Sequence, residues 1–356
     1  MPIFRYANSM SDDGFRSHLP WLVRFTFVRR FTVLVLLIAV LLAAIVASVA
    51  IGTRSLGVTE VWQALFDSST EGTDAHGIVW DLRIPRTGLG LVVGLAIGAA
   101  GALTQGHTRN PLADPGMLGV NAGAALAVVA GVYLLGIQSP IAYMFFGLLG
   151  AVVAASAVFG LSALSGTSPL TLVLAGTGLS ALLLAFTSAI VLTDTDSLET
   201  WRFWNVGATS GRSPDIFWSS LPFICIGLVL ALASGFFLNV LSLGDDMTKA
   251  LGSRVVVIRI VGVLAITLLI GAATAACGPI VFLGLVVPHI SRAFVGPDYR
   301  WIIPYSAVLG AILLLVCDVI GRVVARPGEL QVGVVLALVC APFLIVMVRR
   351  RRLASV

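Results

Sequence analysis

The side chains of this chain that could do chemistry are few, and most are arginines at the edges of apolar runs. Arg83 and Arg86 stand three apart, so on a helical turn both guanidiniums face one way, toward solvent. There they could fork onto carboxylates or snorkel to lipid phosphate. Asp318 and Arg322 stand four apart inside a long apolar stretch, the spacing of an ion pair along one helix face and of a structural clamp. His289 follows Pro288 with no second ligand at metal spacing, so packing or hydrogen bonding explains it better than coordination.

The four cysteines, Cys225, Cys277, Cys317 and Cys340, are scattered without a C-x-x-C pair, and neither a disulfide framework nor a metal site is expected. The single lysine, Lys249, follows Thr248 and lies in no Gly-Lys-Ser/Thr loop, so the chain has no Walker-type cradle for nucleotide phosphates. The patterns H-E-x-x-H and G-x-S-x-G are absent, which leaves protease and esterase readings without their chemistry. The remaining chemistry is recognition of anions and partners; the chain is not expected to be an enzyme.

The elements that must position these residues are membrane spans. Of 356 residues, 58% are hydrophobic and 11% charged, too apolar for one water-soluble core. The formal net charge of +5 resides in short connectors, as topology requires, and nucleic acid is not an expected partner. A helix crosses the hydrocarbon with roughly 20 residues, and a central charge costs about 2.5–3.5 kcal/mol, so charge-free runs locate the spans. Phe31 to Thr53 is the first, too long for a signal-peptide core and read as retained. Thr87 to Thr108 is the second. Between Asp114 and Asp194 no charged residue occurs, and turns at Gly136–Pro140 and Ser165–Pro169 divide this stretch into helices near 116–135, 141–164 and 170–193. Ile216 to Gly244 follows, and after Arg254 breaks at Cys277-Gly278-Pro279, Gly296-Pro297-Asp298 and Arg326-Pro327-Gly328-Glu329 mark four more.

About ten helices result, with both ends on one side, and the clusters Arg24/Arg29/Arg30 and Arg349–Arg352 place that side in the cytoplasm. Residues 1–30 read as a cytoplasmic extension, 31–348 as the transmembrane domain and 349–356 as a basic tail. Arg54, Arg83, Arg86, Arg202, Arg212, Arg322 and Arg326 then lie outside, against the usual bias. Small residues at Gly90, Gly94, Gly98 and Gly101 are spaced for close helix packing. The loop 194–215 carries Trp201, Phe203 and Trp204, read as interfacial anchors or as an aromatic lining of an entrance.

Three segments together resemble the iron–siderophore and vitamin B12 permease family, FecCD. They are Leu82-Arg83-Ile84-Pro85-Arg86 followed by Gln105 and Arg109-Asn110-Pro111-Leu112-Ala113-Asp114-Pro115; Gly278 to Arg292 with Asp298, Arg300 and Pro304; and Asp318, Arg322 and Glu329-Leu330-Gln331-Val332-Gly333. Gln331 departs from the family's more usual proline, which would loosen the start of the last helix. The resemblance implies an all-α integral membrane protein with the BtuC-like type II ABC importer permease fold and an iron–siderophore cargo, with vitamin B12 and haem as rivals. It implies an extracytoplasmic substrate-binding protein docking on Arg83 and Arg86, with Arg322 as a third contact.

It also implies two cytoplasmic ATPase subunits that hold ATP and Mg, this chain binding no cofactor. They would be coupled through the loop 241–254, where Asp245, Asp246, Met247, Lys249, Ala250, Leu251 and Gly252 alternate charged and apolar edges. The default meaning of such a segment is a solvated connector. A second permease, a copy or a paralogue, completes the expected assembly in the bacterial inner membrane, and Thr177, Ser180 and Thr187 of the fifth span are expected to line the pathway. An ion-driven secondary carrier is disfavoured, because spans three to five hold no ionisable residue.

Overall fold

In the computed structural model the described residues are 12–164, 169–250, 252 and 254–353. The chain folds into α1 (Asp12–Ala50), α2 (Val58–Phe66), α3 (Asp74–Gly77), a π-helical turn (Ile78–Arg83), α4 (Ile84–Thr108), α5 (Val120–Leu135), α6 (Pro140–Leu164), α7 (Pro169–Val191), α8 (Thr195–Asn205), α9 (Pro214–Leu241), α10 (Asp245–Ala250), α11 (Val255–Cys277), α12 (Leu283–Val295), α13 (Tyr299–Val324) and α14 (Val332–Leu353). Seven helical stretches among the described residues are long and apolar enough to cross a membrane, and the apolar helices Val120–Leu135, Leu283–Val295 and Val332–Met347 are shorter.

The sequence expectation of about ten spans agrees with these ten helices, but three are clipped. The third loses its first turn because Asp114 caps a 3₁₀ segment, Pro115–Leu118, and Gly119, at φ 76°, turns the chain before α5 begins. The backbone joining α11 to α12 is irregular and is satisfied by protein: Ala208 N donates to Cys277 O at 2.7 Å, as membrane-depth loops require. α1 and α14 run unbroken through the boundaries expected at residues 30 and 349. The expected turn at 165–168 and the coupling residue Leu251 lie outside the described residues.

The centre of the bundle is α4 against α13. With lipid as apolar as leucine, helices associate here by close backbone approach, which small residues permit. A Cβ on Gly98 would sit 2.0 Å from Ser306 O, and one on Gly94 would sit 2.5 Å from Ala311 Cα. The glycine stripe of α4 is therefore a packing surface. α4 is almost wholly buried, whereas α1 and α7 turn most of their surface outward.

Candidate functional site

At the end of the bundle where α4 begins, α1 stops and leaves its last carbonyls without helical partners. In a low-dielectric setting such groups need donors. Three arginines supply them. Arg83 Nη1 donates to Val49 O (2.9 Å) and Ala50 O (2.7 Å), and its Nη2 to Arg54 O (2.7 Å). Arg322 Nη1 donates to Ser48 O (2.8 Å) and Ile51 O (3.0 Å), and Arg326 Nη2 to Gly52 O (2.6 Å). The cationic heads also complement the negative end of the α1 dipole.

Beneath them lies Asp318, 2% exposed. Its carboxylate accepts from Arg86 Nε (3.1 and 3.2 Å) and Nη2 (2.8 Å), from Arg322 Nε (3.1 Å) and Nη2, and from Thr209 Oγ1 (2.7 Å). Arg86 Nη1 reaches on to Glu329 Oε2 at 2.7 Å. The pair expected between Asp318 and Arg322 is thus one edge of a larger network that joins α4, α13 and the segments before α9 and α14. Ser210 Oγ donates to Gln331 Oε1 (3.0 Å) and Gly333 N to Gly207 O (3.0 Å). The start of the last helix is therefore tied, where the departure from proline predicted a looser one.

Above this network opens a cleft of about 660 Å³ lined by Arg54, Arg83, Arg86, Arg212 and Arg322 against Asp81 and Glu329. The three arginines singled out for docking do converge on one concavity, but Arg83 and Arg86 do not face solvent as their spacing predicted. Arg83 is 4% exposed because its guanidinium turns back onto the last carbonyls of α1. Arg86 turns inward to Asp318. The side chains at the rim are instead Arg54, exposed and 3.3 Å from Asp74, and half-buried Arg212. Neither stood out in the sequence beyond its place among outer arginines, and Thr209 gave no signal at all.

The opposite end gathers the other motif residues. Arg292 Nη1 donates to Gln105 Oε1 (2.5 Å), Gln105 Nε2 donates to Leu285 O (3.1 Å), and Arg109 Nε donates to Leu241 O (3.1 Å). Asp298 caps α13, accepting from Arg300 N (3.1 Å) and Asn239 Nδ2 (2.6 Å). Burial acts to raise its pKa, but the bonds from Arg300 and Asn239 outweigh it and hold the carboxyl down at about 2. Thr248 is buried, its hydroxyl on Val240 O (3.1 Å) and Gly244 O (2.6 Å), which fixes α10 against the end of α9. Asp246, Met247, Lys249 and Ala250 point outward, as does Gly252 beyond them.

Of the residues expected along the pathway, Thr177 is exposed, Ser180 half-buried and Thr187 buried. Each hydroxyl is bonded within α7, to Val173 O (3.0 Å), Gly176 O (2.7 Å) and Leu183 O (2.9 Å) respectively. Trp204 is 3% exposed and belongs to the core, so it is neither an interfacial anchor nor an entrance residue. His289 packs edge-on to Phe343 at 6.2 Å between centroids.

Residues 38–350 match the FecCD transport family. The chain is 44% identical over 317 residues to the ferric enterobactin transport system permease protein FepD of Escherichia coli (strain K12), covering 88% of this chain and 94% of that protein. It is 38% identical over 312 residues to the iron(3+)-hydroxamate import system permease protein FhuB of Bacillus subtilis (strain 168), covering 86% and 79%. A solved structure of an inward-facing metal-chelate type ABC transporter superposes with a TM-score of 0.78 at 26% identity, over 90% of this chain and 99% of that one.

Proposed function

The chain belongs to the FecCD transport family, and from that premise we propose that it is the permease subunit of a binding-protein-dependent ABC importer carrying a ferric siderophore across the bacterial inner membrane. The likeness to permeases named for ferric chelates, over nearly the full length of both chains, carries this reading. The chain has no phosphate-cradling loop, so ATP and Mg belong to two cytoplasmic ATPase subunits. A second permease, a copy or a paralogue, completes the pathway, and α7 with Thr177, the least buried of the long spans, supports placement beside it.

The Lys249 end is the cytoplasmic one in this reading. Arg30 lies 3.9 Å from Asp298 at that end, and α14 runs from the cleft toward it, bringing both basic clusters to one side. The outward apolar edge of α10, Met247 and Ala250, seats in an ATPase. The arginine cleft faces outside and receives acidic side chains of the binding protein. Arg54 and Arg212 make the first contact at the rim, while Arg83, Arg86 and Arg322 supply the positive floor.

The test is ATP-dependent uptake of a radiolabelled ferric siderophore in cells lacking the chain and in cells carrying Arg54→Glu/Arg212→Glu. Uptake disappears in the first, and in the second binding-protein affinity falls about tenfold or more at normal membrane levels, with the loss larger at low salt. Intact iron uptake alongside lost vitamin B12 or haem uptake overturns the cargo, and uptake independent of ATP overturns the importer class. Arg83→Glu is the wrong probe, because it strips donors from the end of α1.

A further inference from the structure

Near the Lys249 end, α9 and α11 part to leave a groove of about 340 Å³ lined by Ser234 and Phe237 of α9, Val257, Ile258 and Val261 of α11, and Arg254 at its mouth. Its chemistry is segregated. The Ser234 hydroxyl is spent on Leu230 O within its own helix at 2.7 Å, so the walls offer apolar surface only. Arg254 is the one charged residue among those lining the groove, and among the described residues its guanidinium takes part in no hydrogen bond or ion pair. Phe237 and Val257, 45% and 49% exposed, continue outward onto Phe236, Val256 and Ile260, the uncovered flank of two spans that the bilayer must solvate. An apolar slot that merges with the lipid-facing surface and ends at an unpaired cation is complementary to an amphiphile carrying a negative head.

We propose that this groove holds one anionic phospholipid, its acyl chain between α9 and α11 and its phosphate on Arg254, with Lys249 adding positive charge from the same connector. A soluble ligand would satisfy Arg254 and leave the walls without purpose. A protein helix is too wide for a slot of this volume. The lipid would bear directly on the connector 241–254, so the proposal deepens the coupling role given to that segment and rests on the reading of the chain as a membrane permease. Its test reads lipid and not transport, so either can fail alone.

The full-length chain, purified in a mild detergent, is titrated with phosphatidylglycerol and phosphatidylcholine of identical acyl chains, and retained lipid is counted by native mass spectrometry. One phosphatidylglycerol is retained with a preference of about fivefold per basic residue engaged. Arg254→Ala abolishes the preference, Val261→Trp, which fills the slot without touching the charge, reduces retention of both lipids, and Arg349→Ala leaves the preference in place. Should Val261→Trp fail to stay monodisperse, Phe237→Ala removes the facing wall and must weaken retention likewise. Equal binding of the two lipids by the wild type, a preference that survives Arg254→Ala, or wild-type retention after the groove is altered overturns the proposal.

Discussion

Replacing Asp318 with asparagine keeps the shape of the side chain and removes one charge from a site where two guanidiniums and a hydroxyl converge. Asp318 and Arg322 are each 2% exposed, so water cannot take over the lost role. Arg86 retains Glu329 at 2.7 Å, but Arg322 is left with neutral acceptors only. Removing one member of a buried ion pair costs about 3–5 kcal/mol, a large part of the roughly 5–15 kcal/mol that separates folded from unfolded domains. Glu329→Gln should cost about 1 kcal/mol or less, because Arg86 stays on Asp318 and the Glu329 side chain is 30% exposed.

The assay is thermal unfolding of both variants in one detergent, together with Asp318→Asn/Arg86→Met. The double variant lifts the repulsion of Arg86 on Arg322, which Asp318 no longer balances, and recovers part of the loss, a coupling of about 0.5–3 kcal/mol. If Asp318→Asn and Glu329→Gln unfold at the same temperature, the network does not anchor the cleft end of the bundle and the reasoning fails.

Gly98→Ala forces α4 away from Ser306 O, 2.0 Å from the new methyl group, and should destabilise by about 1–3 kcal/mol, whereas Gly178→Ala meets nothing within 4 Å and should be neutral or slightly stabilising; thermal unfolding separates the two. Asp298 has its folded pKa lowered from 3.8 to about 2, so its contribution of about 2 kcal/mol is complete above pH about 4 and is lost as pH falls through about 2. Asp298→Asn should flatten that acid limb in a pH series of unfolding midpoints. Met247→Asp, at a side chain 55% exposed, should abolish uptake and association with the ATPase while shifting stability by less than about 0.5 kcal/mol, as co-purification and unfolding would register.

The spans were legible in the sequence because each mid-membrane charge is costly, so uncharged runs and their Gly/Pro breaks mark helices directly. The clipped start of α5 was not, since it depends on the 3₁₀ segment and the left-handed Gly119. The pairing of Asp318 with Arg322 follows from local spacing, but Arg86 joins it across 232 positions and Thr209 across 109, separations that no periodicity encodes. Arg83 misled for a related reason. Its spacing from Arg86 does fall on a helical turn, but the acceptors that claim it, Val49 O and Ala50 O, lie 34 and 33 positions away at the end of α1. Trp204 resembled an interfacial anchor by its neighbours, yet the packing of Gly278 against its carbonyl draws it into the core.

The arginines that terminate α1 also bear on how the protein can move. α1 is fastened to α4 and α13 at its last turn by Arg83 and Arg322, and near its middle by the Tyr305 hydroxyl on Arg30 O, while α4 and α13 touch backbone to backbone between. Three helices clamped at two levels and packed closely between them form a beam, and any rearrangement that preserves these contacts must swing it as a single rigid body. Displacement is cheap only where little is interlocked, and α7, with 11% of its apolar window buried, is such a place. The beam carries the arginine cleft at one tip and the anchor of the 241–254 connector near the other, so a tilt imposed at either tip is delivered to the opposite face of the membrane as a lever delivers it.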